Sequence, residues 1–435
     1  MDGRSGGRGA GGGAAIAAAA LVLLCAIALV LIAAAAPEGF RSAYGLNRRS
    51  ADLYRSALGW FPDWRFRTET FFVWSFRTTL LAAWAGWATM LLAACTRPDR
   101  LQWAKPAAIA AVIFLAIGAP PIFSTDVFAY AGWSRQMWTF DLNPYLPTHM
   151  LVPPPSAGGS RTWPSTVPYG PAWTLVAWGL GAVASPGGLF AEILVHKALA
   201  AAGLLASAAA AARIAATIRP GFGAVSWLAV GFCPLLLVEG PVSGHNDFVA
   251  IGLLMWAAAL GLSTPRSLPA LLLGLAVAWK PTALGAVPLL VLSRWRTEGL
   301  RSAVTSLVLC AAPFLLLSVP FGGIMPILSS VAGRVGGGGE STIAPVRIAL
   351  LIAGVAWGVW MVLRATPVSG TTWLDSWIPV SLGISLGTSI VLFPWYFAWT
   401  LIPALVRWDI RRFPAVSALC SLALLSMWMY AATLR

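Results

Sequence analysis

The sequence predicts an all-α protein that crosses a membrane many times, and three observations carry that expectation. Hydrophobic residues make up 58% of the 435-residue chain and charged ones only 10%, against about a quarter charged in ordinary soluble domains. Apolar stretches of roughly 18 or more residues recur along nearly the whole length, each able to cross a hydrocarbon core of about 30 Å as a helix. The formal charge of +14 lies mostly in short loops between those stretches, the pattern of the positive-inside rule and not of a nucleic-acid partner.

Taken in order, the first apolar run covers 14–36 behind Arg4 and Arg8. Its AAAAP end resembles a small-residue cleavage site, but the run exceeds the roughly 7 to 15 residues of a signal-peptide core, so an uncleaved anchor is expected. Further spans are expected at 71–95, 105–122, 189–212, 223–242, 247–263, 302–320, 345–365, 375–393, 394–409 and 413–432. With the apolar pieces between them these give about 11–13 transmembrane helices in a single integral membrane domain, 1–435. The five cysteines lie in or beside apolar segments without metal-ligand spacing, so neither a disulfide, a metal nor a cofactor is called for.

Basic clusters set the expected sides. Arg97 with Arg100 and Lys105, Arg213 with Arg219, Arg266, Arg294 with Arg296 and Arg301, Arg364, and Arg407 with Arg411 and Arg412 mark cytoplasmic loops. The third span then ends outside, and 123–188 becomes an extracytoplasmic loop with interfacial helices. Its apolar piece PAWTLVAWGLGAVAS is short and bears tryptophan, and a full crossing there would carry Arg213 and Arg219 outside. LPALLLGLAVAWKPTALGAVPLLVLSR has arginine at both ends, which two half-length helices meeting at Lys280-Pro281 satisfy. GRVGGGGEST lacks the GK[ST] ending of a phosphate loop, and 321–344 reads as a Gly-rich outer loop. Residues 37–70 mix both signs of charge, and parity puts them outside: either the first span is unusual or this segment lies on anionic head groups.

Ionisable groups inside spans cost about 2.5–3.5 kcal/mol each at the centre, so each one needs a reason. If STDVFAYAGW opens a helix, Asp126, Tyr130, Trp133 and Met137 share a face; Ser124, Thr125 or Asp126 serves equally as a helix cap. His245, Asn246 and Asp247, with Glu239 just before them, suit a phosphate oxygen or a proton relay, and also suit capping of the next helix. Lys280 sits among Leu, Ala, Trp and Pro and needs an anion, either a ligand's or the carboxylate of Glu239 or Asp247. Glu192 and His196 are spaced for local pairing. Asn143-Pro144-Tyr145 and Val167-Pro168-Tyr169-Gly170-Pro171 read as ordered turns. Phe393-Pro394-Trp395-Tyr396 fits either sugar stacking or an interfacial aromatic belt.

In sequence order STDVFAYAGW, NPY, PYGPAW, SGHND, AWKPTALGAVPLL and FPWYFAW resemble the polyprenol-phosphate-mannose-dependent α-1,6-mannosyltransferases of actinobacteria, in the GT-C glycosyltransferase class. The resemblance spans roughly 105–400. It implies a GT-C-like fold with a long first catalytic outer loop in the plasma membrane. It also implies transfer of a hexose, mannose foremost, from a polyprenyl-phosphate donor to a lipoglycan or glycolipid hydroxyl on the outer face. Asp126 takes the place of the loop aspartate, His245 to Asp247 match the histidine-asparagine-aspartate cluster and Lys280 the lysine-proline. Phe140-Asp141-Leu142 departs from the glycine common before the NPY asparagine, which bears on the acceptor.

The chemistry agrees. A polyprenyl phosphate leaves readily, so an inverting displacement asks for one base on the acceptor hydroxyl and cationic or hydrogen-bonding groups on the departing phosphate. A second carboxylate serves a poor leaving group. By inference Asp126 is the base. Lys280, His245, Asn246, Asp247, Arg135 and Tyr130 lie on the donor side, and Asn143, Tyr145, Tyr169, Trp395 and Tyr396 on the acceptor side or loop. Rival readings are another sugar on the same kind of donor, or a transporter or flippase, whose folds commonly show broken helices in both halves. The sequence shows one broken hairpin and one long outer loop.

Overall fold

The computed structural model of the chain describes residues 10–40, 46, 49–59, 63–146, 166–262, 267–336, 344–366, 369, 371–387, 393–406 and 413–432. Among the described residues there are helices and turns but no strand. The chain is an all-α polytopic membrane protein, as its composition requires.

Helix α1, Ala10–Ala34, packs along α3, Glu69–Thr96. Between them the short amphipathic α2, Arg49–Leu58, carries mixed charges that answer one another: Arg55 reaches Asp52 at 2.9 Å and Asp63 at 3.2 Å. α4, Ala104–Gly118, leads through a Pro-Pro turn to α5, Asp126–Phe140. Then follow α6, Pro171–Ala184, and α7, Gly188–Ile218. α8, Gly223–Gly231, α9, Pro234–Leu237, and a wide turn at Val238–Val242 lead into α10, Asp247–Leu260. The remainder comprises α11, Ser267–Trp279, α12, Val287–Glu298, α13, Leu300–Ser318, α14, Ile324–Gly336, α15, Ala344–Arg364, α16, Thr372–Gly387, α17, Ala398–Val406, and α18, Phe413–Trp428.

Among the described residues six helices are long and apolar enough to cross a membrane, from Gly13–Ala34 to Pro414–Ala431, and a seventh arises if the 59° bend between Gly223–Gly231 and Pro234–Val242 lies within one span. Hydropathy counts more because it reads composition and not continuity. Ala104–Gly118, Asp247–Leu260, Ser267–Trp279 and Pro394–Val406 are apolar but shorter, and proline interrupts the segments at 234, 281 and 394. The break at Lys280 forms as expected: Lys280 is extended, Pro281–Ala286 is a 3-10 turn, and α12 then resumes.

Two further expectations meet the structure differently. The apolar piece expected to be a separate interfacial helix is α6, which continues through a 3-10 turn into α7 as a stretch of 48 residues. Part of the expected glycine-rich loop is α14, and 337–343 lie outside the described residues.

The core around the site relies on close backbone approach. A Cβ on Gly203 of α7 would stand 2.5 Å from the Phe248 carbonyl carbon of α10, so glycine is what lets these two helices touch. That contact fixes the start of α10, where the polar residues gather.

Candidate active site

Asp126 is the first residue of α5, and capping falls to its neighbour: Ser124 Oγ accepts the Asp126 backbone N–H at 3.0 Å. The Asp126 side chain, 35% exposed, instead points Oδ2 to within 3.4 Å of His245 Nδ1. The helix N-terminus favours a carboxylate there. The rest of its predicted face is sealed: Tyr130, Trp133 and Met137 are buried, with Tyr130 and Trp133 against Tyr169 and Trp173.

His245 is delivered by a turn that only glycine makes comfortably. Gly244 has φ +77°, and a Cβ there would lie 3.0 Å from Lys197 Cγ and 3.3 Å from Val127 Cγ2. The imidazole is fully buried. Its Nε2 stands 3.2 Å from Glu239 Oε2, and Tyr430 donates its hydroxyl to Glu239 Oε1 at 3.0 Å. Trp395 stacks on the ring at 4.1 Å, with Phe393 behind it at 4.4 Å. Burial disfavours the charged ring, but hydrogen bonding and charge from Asp126 and Glu239 outweigh it and push the imidazolium up to about 9.

The other end of the same tripeptide holds the lysine. Lys280 Nζ donates to Asp247 Oδ2 at 2.6 Å and Trp399 Nε1 donates to Oδ1 at 2.7 Å. The lysine therefore has a carboxylate partner, one of the two named from sequence, and the Asp247 side chain does not cap α10. Trp279 Nε1 donates to the Asn246 carbonyl at 3.0 Å. The Asn246 side chain is buried at 3% exposure, and neither of its amide atoms has a hydrogen-bond partner among the described residues. Lys280 Nζ also lies 5.4 Å from the Tyr169 ring and 5.7 Å from that of Tyr396. Gly170 brings Tyr169 here: its N–H donates to the Trp279 carbonyl at 3.0 Å, and a Cβ would stand 2.1 Å from the Ala278 oxygen. Burial first, then the charge of Asp126, hold the Tyr169 phenol well above its ordinary range.

An apolar cavity of about 230 Å³ starts one residue past the lysine. Its wall includes Pro281, Leu284, Val287, Phe314 and Leu328.

Other expected residues fall elsewhere. Arg135 donates to Glu192 at 2.7 Å and lies nine residues along α5 from Asp126, roughly 13 Å of helix axis. Glu192 and His196, expected to pair with each other, turn to α5: the first to Arg135 and the second to Ser134 Oγ at 3.1 Å. Helix-to-helix packing of α5 on α7 offers each a closer polar group than its own helix does. Asn143 and Tyr145 brace the loop, Asn143 Nδ2 donating to the Phe321 carbonyl at 3.0 Å and the Tyr145 hydroxyl to the Tyr169 carbonyl at 3.0 Å. Glu239, expected beside the cluster or as a partner of Lys280, faces His245 instead, and Tyr430, Trp399 and Trp279 carry no individual signal in the sequence, since a hydroxyl or indole in an apolar helix leaves none.

The family described as alpha-(1->6)-mannopyranosyltransferase, N-terminal domain, matches residues 21–296. The chain belongs to this family. It is 26% identical over 345 residues to alpha-(1->6)-mannopyranosyltransferase A of Mycobacterium tuberculosis, covering 71% of this chain and 65% of the relative. It is 24% identical over 383 residues to a probable alpha-(1->6)-mannopyranosyltransferase of Mycolicibacterium smegmatis, covering 67% and 63%. The matched part of the chain therefore spans somewhat under two thirds of each curated relative. The mannopyranosyltransferase family match takes in Asp126, Glu239, His245, Asn246, Asp247 and Lys280, and ends before Trp395, Tyr396, Trp399 and Tyr430.

Proposed function

We propose that the chain transfers mannose from a polyprenyl-phosphate donor to a hydroxyl of a lipoglycan or glycolipid at the outer face of the plasma membrane, inverting the anomeric carbon. The observation that carries this reading is a single tripeptide, His245 to Asp247, with a partly exposed carboxylate at one end and a buried ammonium at the other. An apolar cavity walled by Pro281, the residue after Lys280 in the chain, suits the first isoprene units of a lipid-linked donor.

In this reading the acceptor hydroxyl binds beside Asp126. Its oxygen attacks the anomeric carbon while Asp126 takes its proton, and the glycosidic C–O bond breaks with the electron pair leaving on the polyprenyl phosphate. Lys280 meets the charge that grows on the phosphate, turning from Asp247 toward it. The unpartnered Asn246 amide suits a sugar hydroxyl, and Tyr169 and Tyr396 beside Lys280 offer a face for the ring. Both nitrogens of His245 face carboxylates, so we assign the imidazolium to holding Asp126 and not to the phosphate. Arg135, committed to Glu192 farther along α5, has no part in the step.

The test is Asp126→Asn assayed in membranes with radiolabelled polyprenyl-phosphate mannose. Transfer should fall by about 10²- to 10⁴-fold, the usual weight of a general base, with insertion unchanged. Full activity in that variant would remove the base assignment.

A further inference from the structure

We infer that Glu239 is a positioning residue of this site, a sealed carboxylate that holds His245 by charge on one side of the ring while Asp126 faces the other. The inference rests on Asp126 being the acceptor base.

The geometry is a carboxylate–imidazole–carboxylate line, with Asp126 Oδ2 at 3.4 Å from one ring nitrogen and Glu239 Oε2 at 3.2 Å from the other. The two carboxylates are not equivalent. Asp126 is 35% exposed, whereas Glu239 is fully buried and out of reach of a substrate. A buried carboxylate is costly unless its charge is answered, and Tyr430 answers only Oε1, as a neutral donor. The charged partner that remains is the ring.

Every group facing the imidazole fits this assignment. Asp126 comes from α5, Glu239 from the wide turn before it, and the Trp395 indole covers the ring face. Lys197 of α7 packs its stem under Gly244, but its Nζ donates to the Tyr54 hydroxyl at 3.0 Å and to the Ala119 carbonyl. Lys280 is held by Asp247. No second cation among these groups competes for Glu239.

The arrangement has a consequence for the reaction. Before transfer, the imidazolium stands against Asp126 Oδ2 and holds the carboxylate at the mouth of the site. Once Asp126 carries the acceptor proton, the ring loses one counter-charge. Glu239 keeps the other in place, so no unpaired cation is stranded in a buried site. A neutral residue of the same shape would pack as well but would not do this.

The experiment uses full-length protein in detergent with ¹⁵N-labelled histidine, the His245 ring signals being those lost in His245→Gln. In the wild type, both ring nitrogens should stay protonated past pH 8. In Glu239→Gln, half-titration should fall by at least one pH unit, transfer should fall at least tenfold in kcat with little change in donor KM, and the alkaline limb of kcat/KM should move down with the ring. Glu239→Asp, which keeps the charge, should lie between. An unmoved titration in Glu239→Gln with an active wild type overturns the assignment and leaves the transfer reading standing. A moved titration with a wild type inactive on polyprenyl-phosphate mannose overturns the transfer reading and leaves the His245 coupling standing. A wild-type ring already neutral at pH 7.5 overturns the assignment without recourse to any variant.

Discussion

Lys280 is the counter-ion of Asp247 and, in the proposed reaction, a clamp on the donor phosphate, and a pair of variants separates the two. The Nζ to Oδ2 distance is 2.6 Å, with both side chains largely buried. Lys280→Met fills similar space but leaves the Asp247 carboxylate charged, buried and held only by the Trp399 indole at 2.7 Å. Removing one partner of such a pair costs about 3–5 kcal/mol, and thermal unfolding in detergent should show a large fall in midpoint. Adding Asp247→Asn removes the stranded charge while still accepting from Trp399, and should bring stability back to within about 1 kcal/mol of wild type. Activity should not follow. A group that meets developing phosphate charge contributes about 10²- to 10³-fold, and the double variant lacks it however well it folds. Transfer from polyprenyl-phosphate mannose, measured on the stabilised double variant, decides the matter. Activity close to wild type there would reduce Lys280 to a structural counter-ion.

Two further outcomes follow from the same geometry. Gly170→Ala sets a Cβ 2.1 Å from the Ala278 oxygen, so the Tyr169 loop must lift off the end of α11; the variant should insert but lose most transfer, and unchanged kcat/KM would show that the loop does not support Lys280. The His245 ring holds its proton more tightly in the fold, at about 9, than at its ordinary 6.5. Its stabilising contribution, about 3 kcal/mol, is therefore full below about pH 6.5 and is lost as pH rises through 9. The thermal midpoint should decline across that interval, and His245→Gln should remove that part of the decline.

His245, Asp247 and Lys280 were legible because each is an ionisable group in apolar sequence, where its mere presence is a signal. The break at Lys280 was legible for a different reason, since proline dictates it locally. What the sequence withheld are the partners. Tyr430 reaches Glu239 across 191 residues and Trp399 reaches Asp247 across 152, and one tryptophan among 23 announces nothing. Glu192 with His196 shows the opposite error: an i, i+4 spacing suggested a local pair, but packing against α5 gave each a different partner.

These partners also explain why the site is ordered at all. α10 begins with Asp247 and the turn before it places His245, yet neither orientation is fixed by helix geometry alone. Each is fixed because a buried charge accepts few arrangements: Asp247 must meet both Lys280 and Trp399, and His245 must meet both carboxylates. α5, the residue after α11, α17 and the 3-10 turn after α18 therefore converge on the stretch from Glu239 to Asp247 that leads into α10, each through one polar contact. Weakening any one should loosen the others before it unfolds the helices, whose apolar packing is independent of the site. Activity is thus expected to be more sensitive than insertion to substitution at 239, 399 and 430.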